Sequence, residues 1–161
     1  MCKMIGFFKP YDEYGFLSNW YMEDMVIDGR HFNCVEQYMM YQKALIFGDL
    51  EIAHKILETE DPKTMKALGR KVKGFDESVW DEKKYQVVLK GVSKKFECSS
   101  LLRSMLLECP RDAIFVECSP YDLVWGCGCS KTDRYWQFPN GWRGQNLLGK
   151  IISEVRQSYK W

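Results

Sequence analysis

No run of apolar residues in this chain is long enough to cross a bilayer, and the opening MCKMIGFFKPYDEYG lacks the sustained apolar stretch of a secretion signal. Net charge is scarce too, with 23 basic and 22 acidic side chains giving a formal +1. That balance removes any global pull toward a nucleic-acid backbone or an anionic membrane, so an anionic ligand must be met by local basic groups. Paired C-x2-C spacings are missing, and seven cysteines, an odd number, forbid a fully disulfide-paired monomer. Internal repeats, low-complexity tracts and long linkers are absent as well. A reduced, soluble, cytoplasmic protein with no membrane partner is expected. What remains is a globular chain of 161 residues, 46% hydrophobic and 28% charged, the size of one domain expected over 1–161.

Within that ordinary composition one stretch is unusual. Residues 34–47 read CVEQYMMYQKALIF, almost wholly apolar, aromatic or amide apart from Glu36 and Lys43. Seven residues is nearly two helical turns, so the two charges share a face, offset by about 20° and roughly 10 Å apart along the axis. On the wheel Met39 and Ile46 flank them on one side, and Met40, Ala44 and Phe47 on the other. Tyr38, Tyr41 and Leu45 occupy the opposite side, so the helix has no wet face and should be buried. Buried charges are paired, neutralised or chemically engaged. A structural ion pair is one reading; a pocket wall presenting an acid and an amine to a ligand is the other.

Short strands are expected at Met4–Phe8 and Met25–Ile27, with a turn at Asp28-Gly29 before His31–Cys34. Helices follow over Val35–Phe47, from an Asp49 cap to Ile56 or Leu57, and from Asp61-Pro62 to Leu68 or Gly69. A longer one starts at Asp76 or Ser78 and carries Val79, Trp80, Val87, Val88, Leu89, Val92 and Phe96. Ser99 or Ser100 then caps Leu101–Leu107, stopped by Cys109-Pro110. Ala113–Cys118 reads as a buried strand, and a last helix runs from Gln145 or Asn146 to about Tyr159. The fold class is α+β, mainly α: a single helical domain with a small β element.

The long segment Ser119–Gly144 is rich in glycine, proline and aromatics, including Trp125, Trp136 and Trp142. Loops of this length tend to be functional. The rings can pack the loop down or offer stacking faces to a planar base. Its WGCGCS cluster invites a metal reading with Cys118, Cys109 or the His31/Cys34 pair. The spacings are not those of zinc sites, so small thiols filling a tight turn are expected, with no metal and no cofactor. Arg70, Lys71 and Lys73 at one helix end and Arg143-Gly144 at another helix start suggest phosphate handling. Lys71 and Lys73 read as solvated charge.

In order, the segments YGFLSNW, VEQYMMYQKA, ALGRKVKGF, WDEKK, VWGCG and GQNLLGKIISEVR resemble the NADAR family of YbiA-like N-glycosidases over about Phe8 to Arg156. The resemblance implies a mainly helical α+β, YbiA-like fold. It also implies hydrolysis of the N-glycosidic bond between a base or amine and a phosphorylated ribose or ADP-ribose. Family substrates are small molecules: riboflavin-pathway ribosylaminopyrimidine phosphates or ADP-ribosylated guanine, the latter allowing contact with a single modified base in nucleic acid. Carried over by motif, Glu36 and Lys43 match the family's glutamate and lysine, and Asp122 a recurrent acid three residues before the W-G-x-G turn. These are the catalytic candidates. Ser18 and Asn19 match the L-S-N loop, Arg70 the G-R pair, Trp80 the W-D pair, Trp125 and Gly126 the turn, and Asn146 the last helix start. With Arg143 they are the substrate-binding candidates, Trp80 and Trp125 for the base and Arg70 and Arg143 for phosphate. Trp80 could instead be a core anchor. Gln37 stands where the family usually has histidine, and Met39, Met40 and the stretch Tyr135–Trp142 also depart from its pattern.

Two chemistries are open to these residues. Glu36 and Asp122 could divide proton delivery and stabilisation of charge at the anomeric carbon. Lys43, desolvated by its apolar neighbours, could attack that carbon to form a Schiff base, or stay charged and bind phosphate. A noncatalytic ADP-ribose or nucleotide-binding module is the alternative function.

Overall fold

The computed structural model describes residues 2–160; Met1 and Trp161 of the expected 1–161 span lie outside the described residues. In chain order the elements are β1 (Met4–Phe7), β2 (Met25–Ile27), β3 (Arg30–Phe32), α1 (Val35–Ile46), α2 (Leu50–Glu58), α3 (Pro62–Gly69), α4 (Glu77–Cys98), α5 (Ser100–Leu107), β4 (Ile114–Glu117) and α6 (Leu147–Ser158). The predominance of helix makes this an α+β, mainly-α fold. Among the described residues no helix is long and apolar enough to cross a membrane. Residues 22–99 form one compact unit, and residues 2–21 with 100–160 form another.

In the 22–99 unit α1 is the central element, packed against α2, α3 and α4. Each helix around it starts at an aspartate, as the sequence indicates. Asp49 accepts from Ile52 N at 3.1 Å, Asp61 from Lys63 N at 3.2 Å, and Asp76 from Ser78 N at 2.9 Å. Each such bond satisfies a donor that the first helical turn leaves open. Val35, Ala44, Ile56, Met65 and Val88 are fully buried between the helices. Gly91 lets α4 come close to α1, because a Cβ there would stand 3.0 Å from the Tyr38 ring. Gly69 plays the same part for α3, whose backbone sits against the Met40 side chain where a Cβ would otherwise be. The antiparallel β2–β3 hairpin turns through Asp28 and Gly29, both at positive φ, and covers the helices with Phe32 against Tyr38 at 5.1 Å.

α4 holds one residue that its sequence pattern leaves unremarked. Lys95 is 1% exposed, with its ammonium 5.6 Å from the Phe96 ring. Burial pushes its pKa down to about 7, against a smaller upward pull from Cys34 and Glu23.

In the other unit β1 and β4 pair in parallel, Met4 opposite Ile114 and Phe7 opposite Glu117, and α6 packs on β4. Gly149 allows that approach, since a side chain there would strike the Phe115 carbonyl. Arg156, 3% exposed, donates to the carbonyls of Cys109 at 2.9 Å and Leu107 at 3.3 Å, tying α6 to the end of α5. The expected long loop contains two short 3-10 turns, Arg134–Gln137 and Pro139–Gly141. Trp136 of the first packs with the buried thiols of Cys118, Cys127 and Cys129. Cys127 and Cys129 fill a tight turn in which Gly128 adopts φ +76° and the Cys127 thiol donates to the Cys129 carbonyl at 3.3 Å.

Candidate active site

The sequence-derived candidates divide between the two units. Four lie in 22–99: Glu36 and Lys43 on α1, Arg70 at the end of α3 and Trp80 in the first turns of α4. α1 is buried along its first half, with Val35 to Met40 all inside. Glu36 is 4% exposed, so the wheel's placement of this acid inside an apolar face holds in three dimensions. Lys43, two turns on, is half-buried. Its Nζ stands 4.6 Å from the Phe75 ring centroid and 5.9 Å from that of Trp80. Burial lowers the Lys43 pKa below the ordinary lysine value; nearby Arg70 pushes the same way, and Glu36 opposes them. An amine so placed is more readily neutral than a surface lysine and is correspondingly more nucleophilic at neutral pH.

Arg70 is exposed beyond the Gly69–Met40 contact. Trp80 is only 8% exposed, so its ring is anchored in the packing and also presents a face to Lys43. Trp80→Phe shrinks that face and leaves part of the indole's space in the core empty, at some cost in stability. An increase in substrate KM of about three- to tenfold is expected from the scale of base stacking, with a lowered melting midpoint that still leaves the protein folded at the assay temperature, measured by initial rates and thermal denaturation.

Seven candidates lie in the other unit. Ser18 and Asn19 follow a short 3-10 turn, Gly15–Leu17, and are 4% and 6% exposed. The Ser18 hydroxyl accepts from Trp20 N at 3.1 Å. Asn19 Oδ1 is buried and has no hydrogen-bond partner among the described residues, an unmet acceptor that a ligand donor would satisfy. Asp122 Oδ1 accepts from Val124 N at 3.0 Å and Trp125 N at 2.8 Å, folding the turn that carries Trp125 and Gly126. Gly126 is compressed there: a Cβ would lie 2.9 Å from the Asp122 carbonyl oxygen.

The segment 143–148, which leads into the first residues of α6, is laced to this turn. Arg143 N donates to Cys127 O at 3.0 Å, Asn146 N to Gly126 O at 2.9 Å and Leu148 N to Trp125 O at 3.2 Å. Asp122, Trp125, Gly126, Arg143 and Asn146 are thereby brought together. The Arg143 guanidinium is 69% exposed and reaches Asp133 at 3.7 Å. Asn146 takes a left-handed φ of 52°, which asparagine tolerates better than most residues. Its amide donates to Phe115 O at 2.9 Å and accepts from Glu117 N at 3.0 Å, so both polar ends are engaged by β4. Asn146→Ala strands those two backbone groups and should lower stability by about 2 kcal/mol, read from the denaturant midpoint without any ligand.

Phe75 was not among the residues singled out from the sequence. It closes the basic stretch ALGRKVKGF, where the charges draw attention. The signal that could have found it is its position between a turn glycine and a helix-capping aspartate, which fixes an aromatic ring at a helix entrance.

Comparison with known proteins agrees with this architecture. The family model described as the NADAR domain matches residues 6–160. The chain is 40% identical over 122 residues to an N-glycosidase of Acanthamoeba polyphaga mimivirus, covering 76% of this chain and 71% of that one. It is 39% identical over 128 residues to Protein irg-1 of Caenorhabditis elegans, covering 78% of this chain and 60% of that longer relative. The NMR structure of the E. coli protein YbiA superimposes with a TM-score of 0.78 at 29% identity, covering 98% of this chain and 86% of that one. The chain belongs to the NADAR family.

Proposed function

We propose that this protein is an N-glycosidase. It hydrolyses the bond between a base or amine nitrogen and the anomeric carbon of a ribose that carries phosphate or ADP. The observation that carries this reading is Lys43: an amine desolvated under two aromatic rings, two turns from a buried glutamate on the same helix. A module that only recognised nucleotides would gain little from burying an acid and an amine together. The relatives named N-glycosidases support the same reaction class.

In the proposed reaction the neutral Lys43 amine attacks the anomeric carbon. The electron pair of the carbon–nitrogen bond leaves with the base, which takes a proton from an acid, Glu36 or Asp122. Loss of a proton from the new ammonium and opening of the ring give an imine. Water then adds, and hydrolysis returns the amine and the free sugar phosphate. In the unit that holds Lys43, Trp80 offers a face to the base and Arg70 a cation to the phosphate; in the other unit Trp125, Arg143 and Asn19 Oδ1 offer the same kinds of contact, a ring, a cation and an acceptor. The candidate substrates are ADP-ribosylated guanine and ribosylaminopyrimidine phosphates. Incubation with ADP-ribosylated guanosine and with a ribosylaminopyrimidine phosphate, followed by chromatography, should show released base from at least one. Tight binding of both without release would instead identify a noncatalytic nucleotide-binding module.

A further inference from the structure

Lys43 and Phe47 are four residues apart on α1 and therefore neighbours on one helical face. Phe75 docks on that pair. Its ring centroid is 4.6 Å from Lys43 Nζ and 5.3 Å from the Phe47 ring, in an edge-to-face arrangement at 67°. Local devices on both sides hold it there. Gly74 before it has φ +76°, a turn that a side chain would strain, and Asp76 after it caps α4 through Ser78 N and Val79 N. Yet Phe75 is 44% exposed, so hydrophobic burial alone does not explain an ordered aromatic at this place.

We propose that Phe75 is a positioning residue for Lys43: its ring holds the Lys43 nitrogen beside Trp80 and keeps water off it, so that the amine meets the substrate's anomeric carbon. This rests on the reading of Lys43 as the reacting group. The ring acts on Lys43 in two opposed ways. Its π face favours the ammonium, while its bulk excludes water and favours the neutral amine. Glu36 on α1 and Arg70 at the end of α3 are the charged groups that act on the same nitrogen, and they are unchanged in Phe75 variants.

The opposed effects make the test specific. In full-length protein labelled with 13C at lysine Cε, the Lys43 signal, assigned by its loss in Lys43→Arg, is titrated by NMR. Phe75→Leu keeps the cover and loses the π face, so the midpoint should fall by about half a pH unit or more. Phe75→Ala loses both, so water enters and the midpoint should rise toward the ordinary lysine value. Phe75→Tyr should titrate as wild type. With ADP-ribosylated guanosine, kcat should fall about tenfold or more in Phe75→Ala, with KM changed less than twofold, and Phe75→Tyr should restore it. Midpoints that move in the same direction in the leucine and alanine variants, or do not move, overturn the proposal. So does an unchanged kcat in Phe75→Ala on an active wild-type background. If the wild-type protein releases no base from either candidate substrate, the N-glycosidase reading fails, and the titration alone decides whether Phe75 governs Lys43.

Discussion

Exchanging Lys43 for methionine is expected to suppress base release by about a thousandfold or more, with little change in the melting midpoint. Methionine reproduces most of the lysine stem and removes the nitrogen that is half-buried against Phe75 and Trp80. Taking a partly desolvated charge out of such a place carries little cost for folding. The covalent route predicts more than loss of rate. Borohydride added during turnover should reduce the imine and leave one sugar-phosphate adduct on Lys43 of the wild-type protein, seen by mass spectrometry, and none on the variant. Because burial lowers the Lys43 pKa, the neutral amine is lost as pH falls through that lowered value, and kcat should drop on the acid side. No adduct, together with substantial activity in Lys43→Met, would remove the nucleophile and leave Lys43 as a ligand for phosphate.

The second large effect concerns stability and a different lysine. Lys95 is wholly buried in α4, and burial brings its pKa from the ordinary value of 10.5 to about 7. Below pH 7 both folded and unfolded chains hold the proton, so stability does not change with pH on this account. Between pH 7 and 10.5 the unfolded chain holds more protons than the folded one, and stability rises with pH. Above 10.5 both are neutral and the curve flattens. Lys95→Met removes this titration. The stability of wild type relative to Lys95→Met should therefore climb by about 3 kcal/mol or more across that window, read from denaturant midpoints at a series of pH values. A difference that stayed flat from pH 7 to 10 would show that the folded chain keeps its proton there.

Which features the sequence disclosed follows a physical pattern. Asp49, Asp61 and Asp76 announce helix starts because capping is a contact over two or three residues, and all three caps are made. The helix wheel of α1 puts Glu36 among apolar neighbours, and the acid is buried. Distant pairings are not written locally. Nothing in Met4–Phe7 says that it will lie parallel to Ile114–Glu117, more than a hundred residues away. The 3-10 turn Arg134–Gln137 carries Trp136 into the buried thiol cluster, a packing that periodicity does not show. Lys95 was legible in principle: it falls three and seven residues after Val92 and Val88, on the stripe that α4 buries. A lysine on that stripe is easily passed over, because a flexible stem ordinarily carries its charge out to water.

Of the candidate site, the motif positions name the residues, while the fold supplies their surroundings. Phe75 is the clearest case, since its meaning lies in two contacts with α1 that its own neighbours in sequence do not hint at. Asn146 is another: its motif position makes it a binding candidate, and the fold adds that both ends of its amide are engaged by β4.

The contact between Gly69 and Met40 has a consequence for how such a site can diverge. The space that a Cβ would need at 69 is already taken by the Met40 side chain, and the next residue is Arg70. A larger residue at 69 fits only if the flexible Met40 side chain swings aside or gives way to a smaller one. A substitution at 69 is therefore felt first at position 40, inside the helix packing, and the flexible thioether there sets how large a side chain the end of α3 can take.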